Sequence, residues 1–202
     1  MPTIVYLHGF RSSPASTKAR ELAAAIARLP HAERPRLHVP ALTDRPAEAM
    51  ASILALVGDV SKEALTFVGS SLGGYYATCA AEKTGARAIL INPAVRPADD
   101  LAAYRGPQTN LYTGARFDVT DRHFEELLAL AVGSITRPWR YLLFVQSGDK
   151  VLAYRDAIAF YAAAWQSVEG GGDHAYQDFA RHIPTILRFC GVDGEAGFVR
   201  CT

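Results

Sequence analysis

Residues 65–76 read LTFVGSSLGGYY, and this stretch decides the fold. Its first four residues form an apolar run that is typical of a buried strand, and residues 72–82 are small and compatible with a helix. Between them, residues 69–73 have the pattern G-x-S-x-G, with Ser71 at the centre. In this context the pattern indicates a nucleophile elbow, a strained turn in which Gly69 and Gly73 leave room for the backbone. The alternative is a glycine-rich turn whose serine caps the helix.

Apolar runs lie on both sides of this stretch and alternate with helical segments. The other predicted strands are Thr3–Leu7, 36–39, Arg87–Ile91, 141–145 and 165–168. The other predicted helices are 14–30, Pro46–Leu56, 124–131, 152–163 and 176–189. Apolar strands that alternate with helices predict an α/β fold with a mostly parallel sheet, covered on both faces. Ligands of such sheets bind beyond the carboxyl ends of the strands, so the loops there hold the candidate site residues.

The composition fits one globular domain over residues 1–202. At about 150 residues per domain, a chain of 202 residues is short for two domains. The 21 lysines and arginines balance 20 aspartates and glutamates, and a net charge of +1 argues against a nucleic-acid binder. Three separated cysteines form neither a disulfide framework nor a zinc pattern, so we expect no metal and a reducing, cytoplasmic location. No pattern predicts an oligomeric state.

One segment could be misinterpreted as a membrane span. Residues 64–81 carry no charge over about the length of a membrane span, but glycines and serines interrupt them. We therefore expect a strand, a turn and a helix there, and no membrane span. The N-terminus lacks the pattern of a signal peptide. At the other end, glycines and scattered charges over residues 191–202 predict a frayed tail.

A serine nucleophile needs a base, and the chain has six histidines. His174 lies in a glycine-rich loop directly after the last predicted strand, and the loop is expected to be flexible enough to let the imidazole reach the elbow. His8, in the turn after the first strand, is interpreted as structural, and His123 is expected to be a solvent-exposed residue of a helix. The remaining candidates, His31, His38 and His182, follow no strand end directly.

An acid must orient the base. In the chain order serine, acid, histidine, Asp149 is the leading candidate because it comes directly after the strand 141–145. Asp173 is the alternative, but it is poorly placed to bond the ring of its own sequence neighbour, His174. Asp118 and Asp121 fall inside an insertion rather than at a strand end.

The negative charge that develops on the attacked carbonyl needs backbone N–H donors. We expect one from Leu72, at the N-terminus of the elbow helix, where the helix dipole adds to its effect. The second is expected from Phe10, in the loop after the first strand, because Gly9 permits a turn that aims this N–H inward.

Five motifs in the same order resemble those of the YqiA-type esterases, a compact branch of the α/β-hydrolase family. They are His8-Gly9-Phe10 with Ser12-Ser13-Pro14, Gly69-Ser70-Ser71-Leu72-Gly73-Gly74, Asn92-Pro93-Ala94, Ser147-Gly148-Asp149 and Gly171-Gly172-Asp173-His174. The resemblance covers residues 3–190 and implies a three-layer α/β-hydrolase fold and a serine carboxylesterase without metal or organic cofactor. By position it makes Ser71 the nucleophile, Asp149 the acid and His174 the base. Where the family often has acidic residues after the triad aspartate, this chain has Lys150 and Ala153.

The segment at about 97–138 is longer than the sheet connection requires. Its second half supplies the crossover helix, which leaves residues 97–117 without a structural task. Apolar residues there, among glycine, proline and polar residues, predict a short lid with an apolar underside. The alternative is that they fill the core.

Three functions remain open from the sequence. The first is a serine carboxylesterase that cleaves small-molecule acyl esters or thioesters through an acyl-enzyme on Ser71. The second is an acyl-CoA thioesterase or acyltransferase that uses the same three residues, since the motif determines acyl chemistry but not the acceptor. The third is a binding protein that has kept the fold without catalysis. The presence of candidate nucleophile, acid and base together argues against this last function.

Overall fold

Six strands form a parallel sheet in a computed structural model that describes residues 1–192 of the chain. Their order across the sheet is β2-β1-β3-β4-β7-β8, and each neighbouring pair is parallel. The strands are β1 Thr3–Leu7, β2 Arg36–His38, β3 Leu65–Ser70, β4 Arg87–Ile91, β7 Tyr141–Gln146 and β8 Trp165–Glu169. This confirms the predicted α/β architecture. Strands β3 and β7 run two residues and one residue past their predicted ends, towards the candidate site.

Helices cover both faces of the sheet. They are α1 Thr17–Arg28, α2 Pro46–Leu56, α3 Leu72–Thr84, α4 Pro97–Asp100, α5 Asp121–Leu130, α6 Tyr154–Phe160 and α7 Ile183–Phe189. Strand residues alternate between the two cores: Val5 and Leu7 pack with α2, α3, α5 and α6, whereas Ile4 and Tyr6 pack with α1 and α7. This period of two is that of a strand buried on both faces, and it gives three layers.

The prediction of a helix over residues 176–189 is wrong for the first half of that range. Tyr176 and Asp178 have positive φ angles of 60° and 56°, so an α-helix does not form there. A single 3₁₀ turn, Phe179–His182, leads into α7, with proline in the helix's first turn.

The insertion contains an antiparallel hairpin that the sequence did not predict. Strand β5, Gly106–Thr109, pairs with β6, Arg116–Val119, after the short helix α4 and a 3₁₀ turn at Ala102–Tyr104. Two strands of four residues, one with a proline, lack the apolar runs that identified the central strands. The hairpin therefore ends two residues beyond the segment that was interpreted as a lid.

His123 is buried, at 7% exposure, and the expectation of a solvent-exposed histidine was wrong. Its Nδ1 accepts a hydrogen bond from the Thr120 N–H while Thr120 caps α5, so the ring serves as part of a capping box.

The described cysteines, Cys79 and Cys190, are buried and free. The predicted frayed tail, with Cys201, lies outside the described residues apart from its first two positions. Within residues 1–192, no helix is long and apolar enough to cross a bilayer.

At Gly73, helix α3 lies directly against the end of β1, which gives a test of the packing. A Cβ at Gly73 would overlap with the Leu7 carbonyl and lie 2.7 Å from the His8 carbonyl oxygen, so backbone would have to move. We expect Gly73→Ala to lower the free energy of unfolding by about 1–3 kcal/mol, as for other overpacked sites. Gly58→Ala is the control, because its Cβ would meet only the Ala55 carbonyl oxygen at 3.8 Å. Equal urea-unfolding midpoints for the two variants would contradict this packing.

Candidate active site

Ser71 lies in the turn between β3 and α3 in a conformation that side chains rarely adopt, with φ 56° and ψ −124°. The turn closes only because its neighbours lack side chains: a Cβ at Gly69 would lie 2.7 Å from the Gly74 Cα. Main-chain hydrogen bonds also hold it, since the Ser71 N–H donates to Ile91 and its carbonyl accepts from Ala94, both at 3.1 Å. The predicted strained elbow is therefore present, and it projects Ser71 beyond the carboxyl edge of the sheet.

A chain of hydrogen bonds joins the three predicted residues of the triad. The His174 Nε2 lies 3.1 Å from the Ser71 Oγ, and the His174 Nδ1 lies 2.7 Å from the Asp149 Oδ2. The carboxylate can only accept, so Nδ1 carries the proton and Nε2 is free to accept from the serine hydroxyl. These distances are those required between a nucleophile, its base and the group that orients the base.

Asp149 is fixed by hydrogen bonds on both of its oxygens. Oδ1 accepts from the N–H groups of Val151 and Leu152 at 2.8 and 2.9 Å, while Oδ2 faces His174. The carboxylate side chain is only 2% exposed, against 28% for the imidazole. Burial by itself would raise the pKa of Asp149, but the hydrogen bonds from His174 and the two N–H groups hold this pKa below its ordinary value. The carboxylate therefore stays ionised beside the imidazole.

Two buried amide side chains hold the loop that carries His174. Asn92 donates from Nδ2 to the carbonyl oxygens of Asp173 and His174, at 2.9 and 3.3 Å. Gln146 accepts at Oε1 from the N–H groups of Asp173 and Gln177, at 3.2 and 2.8 Å. The loop was expected to be flexible, but these bonds attach it to the ends of β4 and β7.

The sequence analysis did not identify Asn92 and Gln146 as site residues. Asn92 was named there only within the motif Asn92-Pro93-Ala94. Its Oδ1 also accepts from the Gln146 backbone N–H at 3.0 Å, which links the two residues. The available signal was that each is a polar residue at the carboxyl end of an apolar strand. Neither side chain is more than 3% exposed, and a buried amide at such a position is normally fully hydrogen-bonded.

The rival acids and bases have other partners. The Asp173 Oδ2 accepts from the Gln177 side chain at 2.9 Å, and Asp121 pairs with Arg105. The His8 Nε2 accepts the Leu42 N–H at 3.2 Å, so this ring joins two loops, as interpreted, and burial lowers its pKa. His182 contacts Glu169 at 3.0 Å.

The two residues predicted to supply the oxyanion donors line the same cavity as Ser71. Leu72 is the first residue of α3, and Phe10 follows Gly9, where a Cβ would be 3.1 Å from the Ser71 Cβ. Within residues 1–192, neither the Phe10 N–H nor the Leu72 N–H donates to a protein acceptor. Both N–H groups therefore lie near the serine and have no acceptor within the described residues.

Two cavities meet at Ser71 and His174. The smaller, of about 200 Å³, is lined mainly by apolar side chains: Phe10, Leu72, Ala94, Pro97, Leu101, Tyr104, Leu111, Val151 and Leu152, with Arg11 and Asp100. The larger, of about 1080 Å³, runs along the His174 loop and is more polar, with Arg11, Ser16, Lys18, Glu21, Lys150, Asp173 and Asp178 in its lining. The serine therefore separates a small apolar space from a large polar cleft.

The pKa of Asp149 tests this arrangement without any assay of activity. His174→Ala removes one hydrogen bond, so the Asp149 pKa should rise, measured by ¹³C NMR of its carboxyl carbon. Because the native pKa is depressed, Asp149 stabilises the fold above about pH 3.9, its unfolded value, and this stabilisation is lost as the pH falls further. The wild type should therefore lose more stability in acid than His174→Ala. His182→Ala, which leaves Asp149 untouched, is the control, and an unchanged Asp149 pKa in His174→Ala would contradict the geometry.

Comparisons with known proteins agree with this fold. The chain matches the model of the Uncharacterised protein family (UPF0227) over residues 3–191. Among solved structures, alpha/beta hydrolase domain-containing protein 10 from mouse is 17% identical with a TM-score of 0.70, covering 95% of this chain and 90% of that chain. Est1E from Butyrivibrio proteoclasticus is 16% identical with a TM-score of 0.68, covering 94% and 85%. The thioesterase domain from the curacin biosynthetic pathway is 16% identical with a TM-score of 0.60, covering 92% and 91%.

The structural likenesses show the α/β-hydrolase fold, and the family match spans nearly the whole chain. The resemblance to YqiA-type proteins drawn from five motifs is thereby confirmed. The chain belongs to the UPF0227 family, the YqiA-like branch of the α/β-hydrolases.

Proposed function

We propose that this protein is a serine hydrolase that cleaves acyl esters or thioesters through an acyl-enzyme on Ser71. The observation that carries the proposal is the continuous hydrogen-bonded chain from Ser71 through His174 to the buried Asp149. Further support comes from a solved structure of the same fold that is named as a thioesterase domain. The proposed reaction uses no metal and no organic cofactor.

In the first step the Ser71 Oγ attacks the acyl carbon, and the His174 Nε2 takes the hydroxyl proton. The imidazolium that forms is stabilised by the adjacent carboxylate, which a depressed pKa keeps ionised. The carbonyl oxygen becomes negatively charged and accepts hydrogen bonds from the Phe10 and Leu72 N–H groups. We expect the fold to orient these N–H groups before the substrate binds, so that their orientation costs little at the moment of reaction.

In the second step the tetrahedral adduct collapses and the leaving oxygen or sulfur takes the proton from His174. Water then attacks the acyl-enzyme, with His174 as the base, and the acid product leaves as Ser71 regains its proton. The same two steps release an alcohol from an ester and a thiol from a thioester. An acceptor alcohol in place of water would give acyl transfer.

The two cavities suggest where the parts of the substrate bind. The leaving group must lie near His174, which protonates it, and the large polar cleft runs along the His174 loop. The acyl chain then extends past Phe10 and Leu72 into the small apolar cavity, which residues 97–117 help to cover. This cavity has less than a fifth of the volume of the polar cleft, at about 200 Å³ against about 1080 Å³. We infer a preference for short acyl chains.

The triad is tested by removing its members singly and together. Ser71→Ala and His174→Ala should each abolish most turnover of a p-nitrophenyl ester, and the double variant should be scarcely worse than either, because the residues act as one unit. A fluorophosphonate probe should label Ser71 in the wild type, as shown by peptide mapping. If the losses of the two single variants multiply in the double variant, Ser71 and His174 do not act as one unit. An unlabelled Ser71 in folded protein would favour a binding protein.

Asp149 and Asp173 are compared by the same substitution. Asp149→Asn should preserve the geometry but favour the wrong imidazole tautomer, which costs about 10³–10⁴ in kcat in comparable triads. Asp173→Asn should cost far less, because its carboxylate contacts Gln177 rather than His174. The reverse ranking of kcat at matched stability would transfer the acid role to Asp173.

The position of the acyl cavity predicts which substitution alters chain-length preference. Leu101 lines the small cavity, whereas Tyr112 lines the polar cleft. Leu101→Ala should raise kcat/KM for longer acyl chains relative to shorter ones over a C2–C12 p-nitrophenyl series, with about 0.8 kcal/mol for each additional buried methylene. Tyr112→Ala should leave the ranking of chain lengths unchanged. A uniform fall for all chains in Leu101→Ala, with a large fall in Tm, would show that residue 101 belongs to the core.

A further inference from the structure

The hairpin β5–β6 is bound to the loop after β1 by three hydrogen bonds. The Arg11 Nε donates to the Thr109 carbonyl at 3.0 Å, and the Leu111 N–H donates to the Arg11 carbonyl at 2.8 Å. The third runs from the Asn110 Nδ2 to the Ser12 carbonyl at 2.7 Å. The hairpin is thus attached to the two residues that directly follow Phe10.

Asn110 also closes the turn of the hairpin. Its Oδ1 accepts from the N–H groups of Tyr112 and Thr113, at 2.9 and 3.0 Å, and its own N–H donates to the Ala115 carbonyl at 2.8 Å. One amide group therefore uses its oxygen to shape the turn and its nitrogen to hold Ser12. These two roles can be separated by substitution.

The ring of Phe10 is held by the same insertion. It packs edge-on against Tyr104, with centroids 5.5 Å apart, and against Phe117 of β6, at 5.8 Å. Such aromatic contacts have a preferred geometry, so they restrict the orientation of the ring as well as burying it. Contacts with the insertion therefore fix the side chain of Phe10, and hydrogen bonds fix the backbone that follows it.

Arg11 adds a reason why this attachment matters. Its φ is 55°, a left-handed conformation that a residue other than glycine keeps only where the surroundings hold it. On the other side of Phe10, Leu7 is the last residue of β1 and is held in the central sheet. The peptide that carries the Phe10 N–H therefore lies between a fixed strand and a strained residue that the hairpin restrains.

We propose that the hairpin β5–β6 positions the Phe10 N–H as an oxyanion donor, and that Asn110 is the positioning residue that couples the two. The inference rests on the proposed function, in which this N–H contacts the reacting oxygen. The hairpin then affects the chemical step for every acyl chain, whereas a mere cover would affect which chains fit. This gives the hairpin a role that the interpretation as a lid did not include.

Asn110→Ser and Asn110→Asp separate the coupling from the fold of the turn. Both side chains can accept from the turn N–H groups. Aspartate has no donor for the Ser12 carbonyl, and serine has only one O–H, on a side chain shorter than that of asparagine. Thr113→Ala is the matched control, since it removes only a bond from the Ala115 N–H to the Thr113 Oγ1, 3.3 Å long, within the same turn. Losing one oxyanion donor costs about 10²–10³ in kcat, so a displaced donor should cost about 10–100-fold.

The expected result is this fall in kcat for both Asn110 variants, equal for C2 to C8 p-nitrophenyl esters, with KM changed less than about twofold, as for an interaction made only in the transition state. The rate of labelling by a fluorophosphonate should fall in parallel. Thr113→Ala should keep the wild-type kcat. Unchanged kcat in the Asn110 variants, or losses that follow Tm in all three variants, would overturn the proposal.

A second measurement does not depend on turnover. Backbone amide resonances and ¹⁵N relaxation of residues 9–13 should show shifted or more mobile amides in both Asn110 variants and not in Thr113→Ala. If these amides are unchanged, the hairpin does not position the loop, whatever the activity. A wild type that neither turns over esters nor labels at Ser71, yet shows the amide changes, would refute the proposed function while leaving the coupling in place.

Discussion

The backbone conformation of Ser71 is the constraint on which the rest of the site depends. A φ of 56° at a serine is unfavourable by itself, and it persists because β1, β3 and β4 enclose the turn so closely that side chains are excluded. A Cβ at Gly73 would overlap with β1, and one at Gly74 would lie 2.6 Å from the Pro93 Cβ after β4. The same close packing aims the serine beyond the sheet, so the strain and the exposure of the hydroxyl have one origin.

Parallel strands then bring the other residues to the same edge. Ser71 follows β3, Asp149 follows β7 and His174 follows β8, and β4 lies between β3 and β7. Asn92, at the end of β4, is therefore in the middle of the site without contacting the serine hydroxyl. From there it reaches the carbonyls of the His174 loop, which explains why a loop rich in glycine holds its imidazole at a defined position.

Features determined by local sequence could be predicted, and features determined by distant partners could not. Apolar runs predict the six strands of the parallel sheet and the elbow. Ser71, Asp149 and His174 were found because they come after such runs. The hairpin β5–β6 could not be predicted because its strands are short and are stabilised by Phe10 and Ser12, about a hundred residues earlier. His123 was misjudged for the same reason: its contacts with Thr120 and Asp44 remove it from solvent, and helical periodicity contains no information on Asp44.

Three of the residues that hold the loops around Ser71 are neutral amides, and this has an electrostatic consequence. Asn92, Gln146 and Asn110 each accept from N–H groups and donate to carbonyls, which a carboxylate or an ammonium cannot do with one side chain. A charged side chain in any of these positions would act on the His174–Asp149 pair through a partly desolvated medium, where Coulomb interactions are strong. With neutral amides, the depressed pKa of Asp149 is set by its own hydrogen bonds and by His174. At these three positions the loops are thus held without adding a charge to the site.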